Sequence, residues 1–199
     1  MIVENIKLHK ENYIVTVGVN DYTIASEVAI KYSLRKDAEI SQEKWREILR
    51  QSDIVLCKAY LYKMISRYQK TEKGYRDKLY QVGFNKNAVE NAMDSAKEYG
   101  YIDDKKYCDN YIMQYKNKKG INRLKAELRQ KGIDNELLSE IFAQYQSNKD
   151  VIYSLCQKFM RSKKKTLENK QKLYRHLLSK GFTYQEASKA VDKCYNDAE

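Results

Sequence analysis

Tyr75-Arg-Asp-Lys-Leu79-Tyr-Gln-Val-Gly83-Phe84-Asn85 decides the fold, because the chain repeats its pattern as Leu124-Lys-Ala-Glu-Leu128-Arg-Gln-Lys-Gly132-Ile133-Asp134 and again as Leu173-Tyr-Arg-His-Leu177-Leu-Ser-Lys-Gly181-Phe182-Thr183. Each copy follows the last at 49 residues. In each, two apolar residues four apart mark a buried helix face, a glycine supplies the left-handed turn that ends the helix, and a side-chain cap opens the next. Thr183, with Glu186 three residues on, has the form of a capping box. Several registered columns with the same mechanical roles indicate duplication, and a period of this length signals a helical array whose units bury their faces on one another.

Working outward, Ile54, Cys57, Leu61, Met64, Ile65 and Tyr68 fall on one face of a helix that precedes the first copy. A second helix begins near Thr71 and buries Tyr75, Leu79 and Val82. A third, capped by Asn85 and closed by Gly100, turns Val89, Ala92, Met93, Ala96 and Tyr99 inward. One unit is therefore three helices, and the chain divides into an extension at 1–52 and repeats at 53–102, 103–146 and 147–199. In the extension, Ile2–Leu8 and the alternating Tyr13, Val15, Val17 and Val19 predict strands, with a turn at Asn20-Asp21 before Tyr22-Thr23-Ile24. They form a hairpin or a three-stranded meander. Ser26 is expected to cap a helix through Val28, Ala29 and Tyr32, and Ser41 another through Trp45, Ile48 and Leu49. Trp45 is expected to anchor this element on the repeats. The fold class is mainly α, with three tandem three-helix repeats in a curved, elongated array behind a small β-hairpin and helix extension. The absence of Pro and the scarcity of Gly, seven in 199 residues, argue against a many-stranded sandwich.

The formal charge of +11 is unevenly placed. Met1–Leu56 carries eight basic against nine acidic residues, and the remainder carries 30 against 18. A basic surface of this kind attracts polyanions. Two clusters recur where the first helix of a unit joins the second. Lys116, Lys118, Lys119, Arg123, Lys125, Arg129 and Lys131 face Glu127 alone; Lys158, Arg161, Lys163, Lys164, Lys165, Lys170, Lys172, Arg175 and Lys180 face Glu168 alone. A solvated, lysine-rich loop explains either cluster by itself, but recurrence at one structural position favours a binding role. The partner and DNA candidates are Lys116, Lys118, Lys119, Arg123, Lys125, Arg161, Lys163, Lys164, Lys165, Lys172 and Arg175. Tyr107, Tyr111 and Tyr115 have helical spacing and read mainly as core; Tyr115 is the one stacking candidate. Gly120-Ile-Asn-Arg123 is a helix start with the form of a weak phosphate cradle.

Chemistry of other kinds is missing from the pattern. Cys57, Cys108, Cys156 and Cys194 include no CxxC pair and are expected to be reduced core residues. His9 and His176 have no neighbours at metal or triad spacing, and no phosphate-binding or nucleophile-elbow motif occurs. No catalytic residue, metal or cofactor is expected, and the protein is expected not to be an enzyme. Glu4 and the lack of a long apolar run predict no secretory signal or membrane span, hence a cytoplasmic protein. Asp103 and Asp104 read as a helix cap and a first-turn acid rather than as metal ligands.

These residues also carry a resemblance. Tyr99-Gly100-Tyr101-Ile102-Asp103-Asp104 with Tyr107-Cys108 is similar to the glycine, hydrophobic, Asp-Asp junction between the first and second units of the RecX family. Gly120-Ile-Asn-Arg123-Leu124 through Glu127-Leu128 to Lys131-Gly132-Ile133 resembles that family's second-unit core, and Arg67, Arg76 and Leu79 fit its first. The chain departs from the pattern at Arg67-Tyr68-Gln69-Lys70, which lacks a proline, and at Asp37, where glycine is common. The resemblance implies a negative regulator of the RecA recombinase, acting in DNA repair, recombination and the SOS response. It implies a monomer bound in the groove of the RecA filament on single-stranded DNA, inhibiting RecA's ATP turnover, strand exchange and filament growth. The alternative is a stand-alone nucleic-acid-binding helical module, although no recognition helix with base-reading residues stands out.

Overall fold

The computed structural model describes residues 1–143, 145 and 148–196. The expected boundary at 146/147 and the last three residues of the third repeat lie outside the described residues. The chain divides into two compact units, one spanning Met1–Ile102 and the other beginning at Asp103.

The first unit opens with a three-stranded antiparallel meander of β1 (Val3–His9), β2 (Asn12–Val17) and β3 (Asn20–Ala25), with β2 central. Val3 pairs with Val17, and Ile6 with Val15. The strand alternation sends Val3, Val15, Val17 and Ile24 to one face, where Val28 and Ala29 of α1 (Ser26–Lys31) and Trp45 and Ile48 of α2 (Gln42–Ile65) cover them. Val19 leaves the pattern, being almost fully exposed beside the Gly18 turn. Ser26 does not cap α1: Ala25 holds that position, and the Ser26 hydroxyl donates to the Glu11 carbonyl at 2.7 Å. Ser41 does cap α2, accepting from the Lys44 amide.

Residues 52 and 53, where the extension is expected to give way to the first repeat, lie inside the 24-residue α2. The Ser52 hydroxyl is occupied sideways, accepting from Ala25 N at 2.9 Å and donating to the Thr23 carbonyl. It ties α2 to β3 and leaves the helix intact. Trp45 belongs to the sheet's cluster, in edge contact with Tyr22 at 5.3 Å, rather than to the repeat's. Asp37, standing at the position where the resemblance favours glycine, has a left-handed φ of +63°.

The second half of α2 packs with α3 (Glu72–Val82) and α4 (Lys86–Glu98) around Cys57, Leu61, Tyr75, Leu79, Val89 and Met93. Val82, Tyr68 and Tyr99, expected inside, are exposed, because each lies at or beyond a helix end where the period no longer faces the core. In the second unit, α5 (Asp104–Tyr115), α6 (Ile121–Gln130) and α7 (Asn135–Ala143) enclose Cys108, Leu124, Leu128, Ile133 and Phe142. There α8 (Lys149–Met160), α9 (Leu167–Ser179) and α10 (Tyr184–Asn196) enclose Cys156, Leu173, Leu177, Phe182 and Val191.

The repeated motif has one geometry three times. Gly83, Gly132 and Gly181 have φ of +105°, +92° and +91°. The amides of Phe84, Ile133 and Phe182 donate back to the carbonyls of Leu79, Leu128 and Leu177, which closes each helix in the Schellman manner. Asn85, Asp134 and Thr183 then accept from the amide three residues on, and Glu186 returns a bond to the Thr183 amide at 2.7 Å. Asp103 caps α5 in the same way, through the Lys106 amide. All four cysteines are buried, and burial pushes the thiols of Cys57, Cys108 and Cys156, one on the first helix of each repeat, up to about 12.

Candidate functional site

In the second unit, the link from α5 to α6 runs through Lys116–Gly120, and that from α8 to α9 through Arg161–Thr166. Both links are short and proline-free, and they are closed differently. Tyr115 O receives the amides of Lys118 and Lys119, and Thr166 caps α9 through the Asn169 amide.

The structure sorts the sequence-predicted cations into held and unheld. Lys119 turns inward, only 19% exposed, and donates to Glu127 at 2.6 Å. Its ammonium lies 4.0 Å from the centre of the Tyr115 ring. Tyr115 is thus half-buried with a cation already against its ring, which removes it as a free stacking platform. Glu127 also receives Arg123 Nε at 3.0 Å and the Tyr111 hydroxyl at 2.7 Å. Burial opposes its ionisation, but the hydrogen bonds from Lys119, Tyr111 and Arg123 outweigh that and hold its carboxyl down to about 2. Burial and the Glu127 charge push the Tyr111 phenol the other way, upward.

Other candidates are tied more loosely. Lys163 donates to the Phe159 carbonyl and sits 3.6 Å from its ring centre; Lys165 donates to the Tyr195 carbonyl. Lys172 pairs with Glu168 at 2.5 Å, and Lys125 lies 5.3 Å from the Phe142 ring centre. Lys116, Lys118, Arg161, Lys164 and Arg175 are exposed and have no side-chain partner among the described residues.

The Gly120 segment is not a phosphate cradle. Two of its amides are consumed: Gly120 N donates to the Lys180 carbonyl at 2.9 Å and Asn122 N to the Gly181 carbonyl at 3.0 Å. The amino end of α6 is therefore docked on the carboxyl end of α9, joining opposite helix poles. Arg123 adds a bond to the Ser179 carbonyl at 3.2 Å. A β-carbon on Gly120 would overlap the backbone of Gly181 and Phe182, so the glycine serves close approach. Sequence reasoning misses this partner, which lies about 60 residues away with no local signal; the missing side-chain cap at 120 is the one hint.

This docking places the clusters. The second-repeat link abuts the carboxyl end of α9, the third-repeat link leads into its amino end, and Arg175 lies on the helix between them. Thirteen residues of α-helix separate the two ends by about 20 Å. Among the described residues no group of three or more His, Cys, Asp or Glu side chains is placed to hold a metal, and no helix is long and apolar enough to cross a membrane. His176 is partly buried beside Phe159, and burial, then Lys180 and Lys163, lowers its pKa.

Comparison with known proteins gives a consistent picture. The second three-helix domain of RecX matches residues 103–140, and its third matches 149–191. Regulatory protein RecX of Clostridium botulinum (strain Eklund 17B) is 30% identical over 181 residues, covering 88% of this chain and 85% of the relative. That of Clostridium perfringens (strain SM101) is 30% identical over 178 residues, covering 86% and 84%. A crystal structure of regulatory protein RecX superposes with a TM-score of 0.73 at 21% identity, covering 96% of this chain and 98% of the other. The crystal structure of RecX from Lactobacillus salivarius gives 0.65 at 22% identity, covering 71% and 96%. At those identities the structural likeness speaks to the fold.

Proposed function

The chain belongs to the RecX family, a family of regulators of RecA, and on that premise we propose that it is a negative regulator that binds the RecA filament on single-stranded DNA and slows its ATP turnover, strand exchange and growth. One observation carries the binding part: five exposed cations have no side-chain partner among the described residues, Lys116 and Lys118 in the α5–α6 link, Arg161 and Lys164 in the α8–α9 link, and Arg175 on α9. Cations already neutralised inside the protein gain little from a phosphate, whereas unpaired ones release counterions on contact. A filament offers a repeating polyanionic target, so modest contacts add through effective concentration. The protein acts as a cytoplasmic monomer and contributes no catalysis of its own; RecA performs the hydrolysis that is slowed.

The test is DNA-stimulated ATP turnover by the cognate RecA. Substoichiometric protein should suppress it, and turnover unchanged at molar excess would refute the regulator. Direct DNA binding is measured separately. Five phosphate contacts predict a log-log salt slope of about −3.5 on single strands.

A further inference from the structure

The α2–α3 link, residues 66–71, is the first repeat's counterpart of the two links above, and it borders a cavity of about 650 Å³. Four cations, Lys63, Arg67, Lys70 and Lys78, line it, and no carboxylate does. None of the four has a carboxylate at ion-pair distance among the described residues; Lys78 donates to Gln81. Elsewhere in the same repeat the basic side chains of Lys73, Arg76 and Lys97 are matched by Asp77, by Glu72 with Glu90, and by Glu72. The four cations at the cavity are left without a matching acidic charge beside them.

Two further features suit a nucleotide rather than a bare anion. Tyr68, at the link, is 62% exposed and belongs to the cavity wall, as does Tyr60, which packs on Phe84 at 5.9 Å between ring centres. The link is also pinned. The buried Tyr75 donates its hydroxyl to the Tyr68 carbonyl at 2.6 Å and accepts the Lys70 amide at 3.2 Å. Leu124 and Leu173 occupy this column in the other repeats and have no hydroxyl, so only the first link is held by it. A preformed link spends less ordering entropy on binding.

We propose that this cavity is a subsite for a nucleotide of single-stranded nucleic acid, with a base stacked on Tyr68 and the flanking phosphates met by Lys63, Arg67, Lys70 and Lys78. Its volume lies in the range of small-ligand sites. An acidic peptide would satisfy the cations but leave the exposed ring unused. The subsite extends DNA contact to the first repeat and rests on the regulator reading only for its biological setting, because it operates without RecA.

The experiment is fluorescence anisotropy of the full chain with a labelled oligothymidylate of about 15 nucleotides, and with an abasic oligomer of equal length. Tyr68→Ala should weaken oligothymidylate binding at least about five-fold, the lower end of a single base–aromatic stack. It should leave the abasic oligomer unchanged, and Tyr68→Phe should bind as wild type. Arg67→Ala with Lys70→Ala should weaken both ligands and flatten the salt slope by about 1.4. Unchanged oligothymidylate affinity in Tyr68→Ala overturns the subsite, as does equal weakening for both oligomers. Displacement of the DNA by oligoglutamate at matching affinity also overturns it and makes the cavity an acidic-peptide dock. RecA turnover assayed in parallel separates the two ideas: wild-type suppression with an indifferent Tyr68 sinks the subsite alone, and a Tyr68-dependent complex without suppression sinks the regulator alone.

Discussion

Gly120→Ala tests the docking of α6 on α9. The added methyl would overlap the Gly181 carbonyl group and the Phe182 amide, which are backbone atoms that cannot rotate aside. Relief requires the helix ends to part by about 1 Å, taking the 2.9 and 3.0 Å bonds from Gly120 and Asn122 close to 4 Å, beyond hydrogen-bonding range. Two backbone bonds at about 1 kcal/mol each, with a further share from Arg123 to Ser179 and from strain in the cores behind, give a loss of about 3–5 kcal/mol. Urea unfolding followed by far-UV circular dichroism should show this loss. Trp45, the only tryptophan, lies in the first unit, so the fluorescence of that unit should keep its own midpoint. Gly74→Ala is the control, since its new methyl would meet chiefly side-chain atoms of Thr71 and Lys70 at 3.2 Å or more; stability should stay within about 1 kcal/mol of wild type. A Gly120→Ala protein within about 0.5 kcal/mol of wild type would refute the reasoning.

Glu127→Gln should destabilise the second unit by about 2 kcal/mol at neutral pH, as it strands a largely buried Lys119. Because the Glu127 carboxyl is lowered in the folded state, its contribution is complete above its ordinary value near 4.5 and disappears as pH falls toward about 2. Acid titration of stability should therefore be flatter across that window in Glu127→Gln than in wild type. Asp37→Gly should stabilise the first unit by about 0.5–1 kcal/mol, read from the Trp45 fluorescence midpoint, because glycine holds φ +63° without a β-carbon penalty. Arg161→Glu with Lys164→Glu should leave helical content unchanged and reduce single-strand affinity at least about ten-fold at low salt, whereas Lys172→Glu, whose charge is already matched by Glu168, should cost less.

The repeat was legible because it is written in local chemistry. A glycine, the leucine four residues before it and the cap two residues after it determine their own geometry, so Gly83–Asn85, Gly132–Asp134 and Gly181–Thr183 could be read without tertiary information. What failed were signals satisfied by distant partners. Ser26 looks like a helix cap until its hydroxyl is seen bonded to the Glu11 carbonyl, and Gly120 looks like an anion loop until α9 fills it. Of the proposed binding residues, net charge picked out those of the second and third links, but counting could not tell Lys119, sealed against Glu127, from the open Lys118. The first link, proposed above as a subsite, does not stand out in the charge count for the converse reason. Its cations are diluted in the count by Glu72, Asp77 and Glu90, which pair with other residues.

The buried thiols make the protein its own stopwatch. With burial pushing the thiols up to about 12, the folded protein presents almost no thiolate at pH 7. Alkylation must then wait for the helix to open, and its rate reports how often that happens. Since α2, α5 and α8 each carry one such residue, Cys57, Cys108 and Cys156, peptide mapping after a labelling pulse would time the three repeats separately in one sample. A partner that clamps any one of them would slow that hand alone.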